Sequence, residues 1–125
     1  MIRAAVFVLA SCGGAVACDV QGVRLASDVD DAPKAFVALT DVPLAQPFSL
    51  QIKVCDPVAQ GGVQVDAFMP AHQHGMNYVP QVSGLGDGVF QVEGMLFHMP
   101  GVWEMRVTVD FDGTSVPYTH SITLQ

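Results

Sequence analysis

Residues 101–125 read GVWEMRVTVDFDGTSVPYTHSITLQ. Trp103, Met105, Val107 and Val109 alternate with Glu104, Arg106, Thr108 and Asp110. Alternation with period two is the mark of a strand that buries one face. Asp112-Gly113 is a hairpin dipeptide, because both positions of the favoured two-residue turn need a positive φ. Beyond it Tyr118, His120, Ile122 and Leu124 alternate again. The stretch predicts a strand, a hairpin turn and a last strand.

The same pattern continues upstream. Phe48, Leu50, Ile52 and Val54 alternate with Ser49, Gln51 and Lys53, and Val63, Val65, Ala67 and Met69 alternate with Gln64 and Asp66. Asp56-Pro57 and Gly61-Gly62 punctuate the turn between them, and Pro70 ends the second run. Ala71–Pro80 reads as a loop. Val82 begins a short strand, and Gly84, Gly86, Asp87 and Gly88 make a turn. Val89–Glu93 and Met95–His98 follow, interrupted by Gly94 as a bulge. Strands recurring every 8–12 residues with turn signals between them, and no amphipathic helix, predict an all-β antiparallel sandwich of about seven strands. Asp19–Pro33 reads as a tether or a first edge strand, with Asp28, Asp30 and Asp31 in a solvated loop. No EF-hand spacing organises these acids. The domain boundaries expected are a signal peptide over 1–11, a tether over 12–34 and the sandwich over 35–125.

Twelve acids against five Lys and Arg give a net charge of −7. Arg3, Arg24, Lys34, Lys53 and Arg106 do not cluster, which excludes a phosphate-neutralising surface and hence a nucleic-acid partner. The N-terminus, MIRAAVFVLASCGG, places Arg3 before a short apolar run over Ala4–Ala10. That run is too short to span a bilayer and fits an export signal. Leu9-Ala10-Ser11-Cys12 resembles a bacterial lipobox. The resemblance implies cleavage before Cys12, acylation of that residue, and a membrane-anchored chain on the periplasmic side of a bacterial membrane. An ordinary signal peptide cleaved near Ala15 or Ala17 is the alternative. With Cys12 lipidated, Cys18 and Cys55 remain as an even pair, for which export favours a disulfide. The competing reading makes Cys55 a metal thiolate.

Histidine and methionine are concentrated in two strings, Met69-Pro-Ala-His72-Gln-His74-Gly-Met76 and Met95-Leu-Phe-His98-Met99. Imidazole and thioether together suit copper, above all Cu(I). Met69, Met95 and Met105 fall at strand positions that core packing explains, and His120 reads as a core-edge histidine. The candidate ligands are therefore His74 and Met76, then His72 and His98, then Met99. His72 and His74 are two residues apart, so on extended backbone their rings point the same way. His98 shares parity with Leu96, Val92 and Phe90 and is expected to point inward, with Met99 facing the other way. No nucleophile elbow, zincin helix or phosphate loop is present, so the chain does not read as an enzyme.

Met69-Pro70, His74-Gly75-Met76, Gly88-Val89-Phe90, Gly94, Phe97, Met99-Pro100-Gly101 and Trp103-Glu104 resemble the YtkA-like and FixH-like domains over roughly Phe48–Leu124. The resemblance implies an immunoglobulin-like or cupredoxin-like sandwich, exported or membrane-anchored. In FixH-type members it implies copper supply to respiratory oxidases. Here a lipid on Cys12 would replace a transmembrane helix. His74-x-Met76 and His98-Met99 also resemble the ligand spacing of periplasmic copper chaperones of the PCuAC type, as a chemical analogy. Two functions are thus expected in competition. One is a lipid-anchored copper-binding accessory or chaperone-like domain with a metalloprotein or oxidase-assembly partner. The other is a metal-free interaction or structural module at the membrane face.

Overall fold

A computed structural model describes Cys18 and residues 22–55 and 61–125. The expected signal peptide, Cys12 and the Asp56-Pro57 turn lie outside the described residues. The described chain is all-β, with nine strands: β1 Val23–Arg24, β2 Ala35–Ala38, β3 Phe48–Val54, β4 Gly62–Met69, β5 His74–Gly75, β6 Gln81–Gly86, β7 Val89–Met95, β8 Gly101–Phe111 and β9 Thr114–Leu124. β1 and β5 are two-residue pieces, which leaves seven longer strands. All pairings are antiparallel, in one sheet ordered β1-β2-β3-β7-β6 and a second ordered β5-β4-β8-β9. Among the described residues no helix is long and apolar enough to cross a membrane.

Turn chemistry sets the hairpins. Asp112 and Gly113 have φ of 52° and 87°, and the Gly113 N–H donates to the Asp110 carboxylate at 2.7 Å. Both central residues of this β8–β9 turn are left-handed, as a primed turn requires. Asp87 and Gly88 repeat the device between β6 and β7 at φ 54° and 75°. Gly88 has a second constraint: a Cβ there would run into the Val54 carbonyl, while the Gly88 carbonyl accepts from the Val54 N–H at 2.8 Å.

The inward residues of both sheets form one apolar cluster, with Trp103, Phe97, Ile52, Met69, Met95, Met105 and Val107 fully buried. Packing thus accounts for Met69, Met95 and Met105. The sandwich also starts earlier than Ala35. β1 adds an edge strand, and Leu25 is buried in the core. Ala26 and Thr119 exchange two backbone hydrogen bonds, at 3.0 and 2.8 Å, and join the two sheets along that side. Cys18 and Cys55 form a disulfide with Cα atoms 5.7 Å apart, and this pins the N-terminal segment to the end of β3.

Gly94 sits at φ 83° where the register shifts: Phe48 pairs with Met95 but Leu50 pairs with Val92. The extra residue on β7 is the expected bulge. It inverts the side-chain parity beyond it. Phe90 and Val92 face the core before the bulge, and Met95 and Phe97 face it after. The expectation that His98 continues the inward set of Val92 and Phe90 is therefore corrected. Phe97 is the buried residue, and residues 96–98 have already left the sheet.

Candidate metal centre

The stretch read as a loop over Ala71–Pro80 is more ordered than a loop. Met69 ends β4, and its carbonyl accepts from the N–H groups of His72 at 3.2 Å and Gln73 at 2.9 Å. Gln73 is left-handed at φ 54°, so the chain reverses and β5 returns along β4 with His74 opposite Met69. The parity argument for His72 and His74 fails here, because the backbone between them is a tight turn and not extended. Their rings are nevertheless neighbours, with centroids 5.8 Å apart.

His74 lies at the end of a row that includes Met69 on β4. Trp103 on β8 is one step past the Phe68–Glu104 pair and is itself opposite Ile122. Met69, Trp103 and Ile122 are buried, so this is the inner face of the sheet, and it turns His74 toward the interior at the pole of the sandwich. His98 arrives from the other sheet after β7. The His74 and His98 rings stack with centroids 5.3 Å apart and planes 28° apart. Trp103 walls the pair, 6.0 Å from His74 and 5.4 Å from His98, edge-on to both. Its indole is itself fixed, stacked on Phe97 at 4.8 Å and donating from Nε1 to the Met99 carbonyl at 3.0 Å.

The imidazole nitrogens differ in their partners. His74 Nδ1 lies 3.2 Å from the Gly75 carbonyl, an acceptor for the tautomer that carries its proton on Nδ1. His98 Nδ1 is buried and has no hydrogen-bond partner among the described residues. A buried imidazole nitrogen in that state has lost water without replacing it, which costs about 1–3 kcal/mol. Met76 and Met99 are half-buried and pack against the core at the same pole. The Met76 N–H donates to the Ala67 carbonyl at 3.3 Å. The structure thus brings the rings of His72 and His98 each beside that of His74, while Met76 and Met99 pack against the core and Met76 also lines a groove with Val65 and Val82. His120 is a half-buried residue on β9 opposite Met105. Cys55 is consumed by the disulfide, which removes it as a metal thiolate.

Among the described residues no group of three or more His, Cys, Asp or Glu side chains is arranged to hold a metal ion. A metal held here would need thioether as well as imidazole. That donor set favours a soft monovalent ion over zinc or calcium. Trp103 went unnoticed as part of the site because its place in the alternation of β8 already explained it as core. Being the first inward residue of that strand, next to the Pro100-Gly101 turn, was the available signal that it stands at the pole.

No protein-family model matches this chain, and no similar protein was found among the curated proteins.

Proposed function

We propose that this chain is an exported copper-binding accessory domain that takes Cu(I) between His74 and His98, with thioether from Met76 or Met99. The observation that supports the reading is the neighbouring His74–His98 pair, one of whose members keeps a buried nitrogen without a partner among the described residues. The ring separation leaves a shared ion within reach, since two imidazoles more than about 10 Å apart could not both meet a metal at bonds of about 2.0–2.3 Å; because imidazole lone pairs lie in the ring plane, the stacked rings would have to turn edge-on to the ion to hold it. Trp103 and the packed methionines would shield a soft ion from water. The likeness to YtkA-like and FixH-like domains points the same way. A lipid on Cys12 would hold the domain at the periplasmic face of a membrane, where a metalloprotein or oxidase-assembly partner could be served.

Titration of the metal-free protein with Cu(I), in competition with a chromogenic chelator, tests the reading. One ion per chain at sub-micromolar affinity is expected, lost in His74→Ala and His98→Ala. Tight binding that survives both substitutions would place the ion elsewhere. No binding in either oxidation state favours the metal-free interaction module. That second reading has its own support in Tyr78 and Val79, which stand 57% and 91% exposed just beyond Met76. The anchor is tested separately: Cys12→Ser should release the protein from membranes or leave an uncleaved precursor.

A further inference from the structure

The two sides of the sandwich are closed differently. Along one side the Ala26–Thr119 bridge ties the sheets together. Along the other, β6 is an edge strand and β4 is flanked only by the two-residue β5, and the chain from Met76 to Pro80 crosses between β5 and β6. This seam holds a groove of about 700 Å³, whose apolar lining includes Val63, Val65, Met76, Tyr78, Val79 and Val82.

β5 covers β4 only at Phe68 and Met69. The Ala67 carbonyl points to that side, since it accepts from the Met76 N–H. Backbone groups alternate in direction along a strand, so the N–H and C=O of Val65 and Val63 point the same way as those of Ala67. Ala67 is sealed by local partners, its N–H donating to the Asp66 carboxylate at 2.8 Å. Among the described residues, Val63 and Val65 have no strand partner on this side. An edge left unpaired above an apolar groove is a template for an added strand.

The charges around the groove say what kind of strand. Arg106 is its one lining cation, and it is already engaged: its Nε donates to Glu104 at 2.9 Å and its guanidinium lies 4.7 Å over the Phe68 ring. Asp66 on β4 lines the groove opposite Arg106, whose charge is taken up by Glu104, and Asp110 on β8 stands opposite Gly62 at the far end of β4. The whole chain carries −7. A second copy would bring this acidity against itself.

We infer that the β4 edge binds an extended segment of a partner protein, adding it as a strand, with alternating apolar side chains in the groove and basic side chains toward Asp66 and Asp110. Met76, two residues past His74, lines the groove, so the docked segment lies beside the His pole. The docking itself needs no metal and stands whether or not copper binds.

The probe is a synthetic peptide, acetyl-KVTVKV-amide, added to the full chain without copper. Amide hydrogen exchange at Val63 and Val65 should slow by about tenfold at saturation, while acetyl-EVTVEV-amide leaves both unchanged. Val79→Ser alters a side chain that is 91% exposed and adds no charge, so folding should tolerate it, and by removing apolar lining it should weaken peptide binding severalfold. Equal effects of the two peptides would overturn the basic-strand assignment. Protection confined to β6, or none at either valine, would overturn the β4 edge as the site. Slowing of Val63 and Val65 exchange by raised protein concentration alone would assign the edge to a second copy.

Discussion

His74 on β5 and His98, three residues past the end of β7, stack at 5.3 Å, and the buried Nδ1 of His98 has no hydrogen-bond partner among the described residues. A buried polar nitrogen without a partner costs stability. His98→Phe should therefore raise the stability of the metal-free protein by about 1 kcal/mol, because it removes an unsatisfied nitrogen and keeps an aromatic beside Trp103. If the proposed copper site exists, the same change should abolish it. Thermal unfolding without metal checks the first point, and a lower midpoint in the variant would show that Nδ1 is satisfied in solution.

Trp103 links the core to the pole. Trp103→Phe keeps an aromatic face on Phe97 but loses the hydrogen bond to the Met99 carbonyl and part of the packed volume. A loss of about 2 kcal/mol is expected in urea unfolding, with loosening of the Met99–Gly101 segment visible in amide exchange. A variant as stable as the parent would mean that the indole bond does not hold that segment.

The Cys18–Cys55 bridge closes a separation of 37 residues. On the loop-entropy account it stabilises the fold by about 4 kcal/mol. Reduction should lower the unfolding midpoint accordingly, and native protein should show no titratable thiol at either position. Two free thiols in the native, oxidised preparation would refute the bridge.

Tyr118 supplies a pH dependence. Burial raises its pKa above the ordinary 10.0, and its hydroxyl donates to the Pro33 carbonyl at 2.6 Å. The unfolded chain then loses this proton first as pH rises, so the native state holds more protons above about 10 and loses stability from there through the folded pKa. Below that window the group adds no slope. Tyr118→Phe should flatten this alkaline limb while costing about 1 kcal/mol at neutral pH. An unchanged slope above pH 10 in the variant would assign the limb to other groups.

Much of the fold was legible because strand periodicity and turn chemistry are local. The alternations of 48–54, 63–69, 103–109 and 118–124 named the inward residues of those stretches but not Leu25, Ala35, Val37 or Val116, and Asp112-Gly113 named its turn. Counting cysteines paired Cys18 with Cys55. The site was legible only as a composition of His and Met in two strings. Its geometry depends on three events between distant residues. The bulge at Gly94 adds a residue to β7, inverts the parity that follows and sends Phe97, not His98, into the core. Left-handed Gln73 folds His74 back onto Met69, and so onto the inner row that ends at Trp103. The crossing from β5 to β6 leaves Val63 and Val65 at an open edge, although they read as an ordinary buried strand. The alternation of a strand records which face is buried. It does not record which neighbour lies beside the strand, because that is decided by hydrogen bonds to segments far away in the chain.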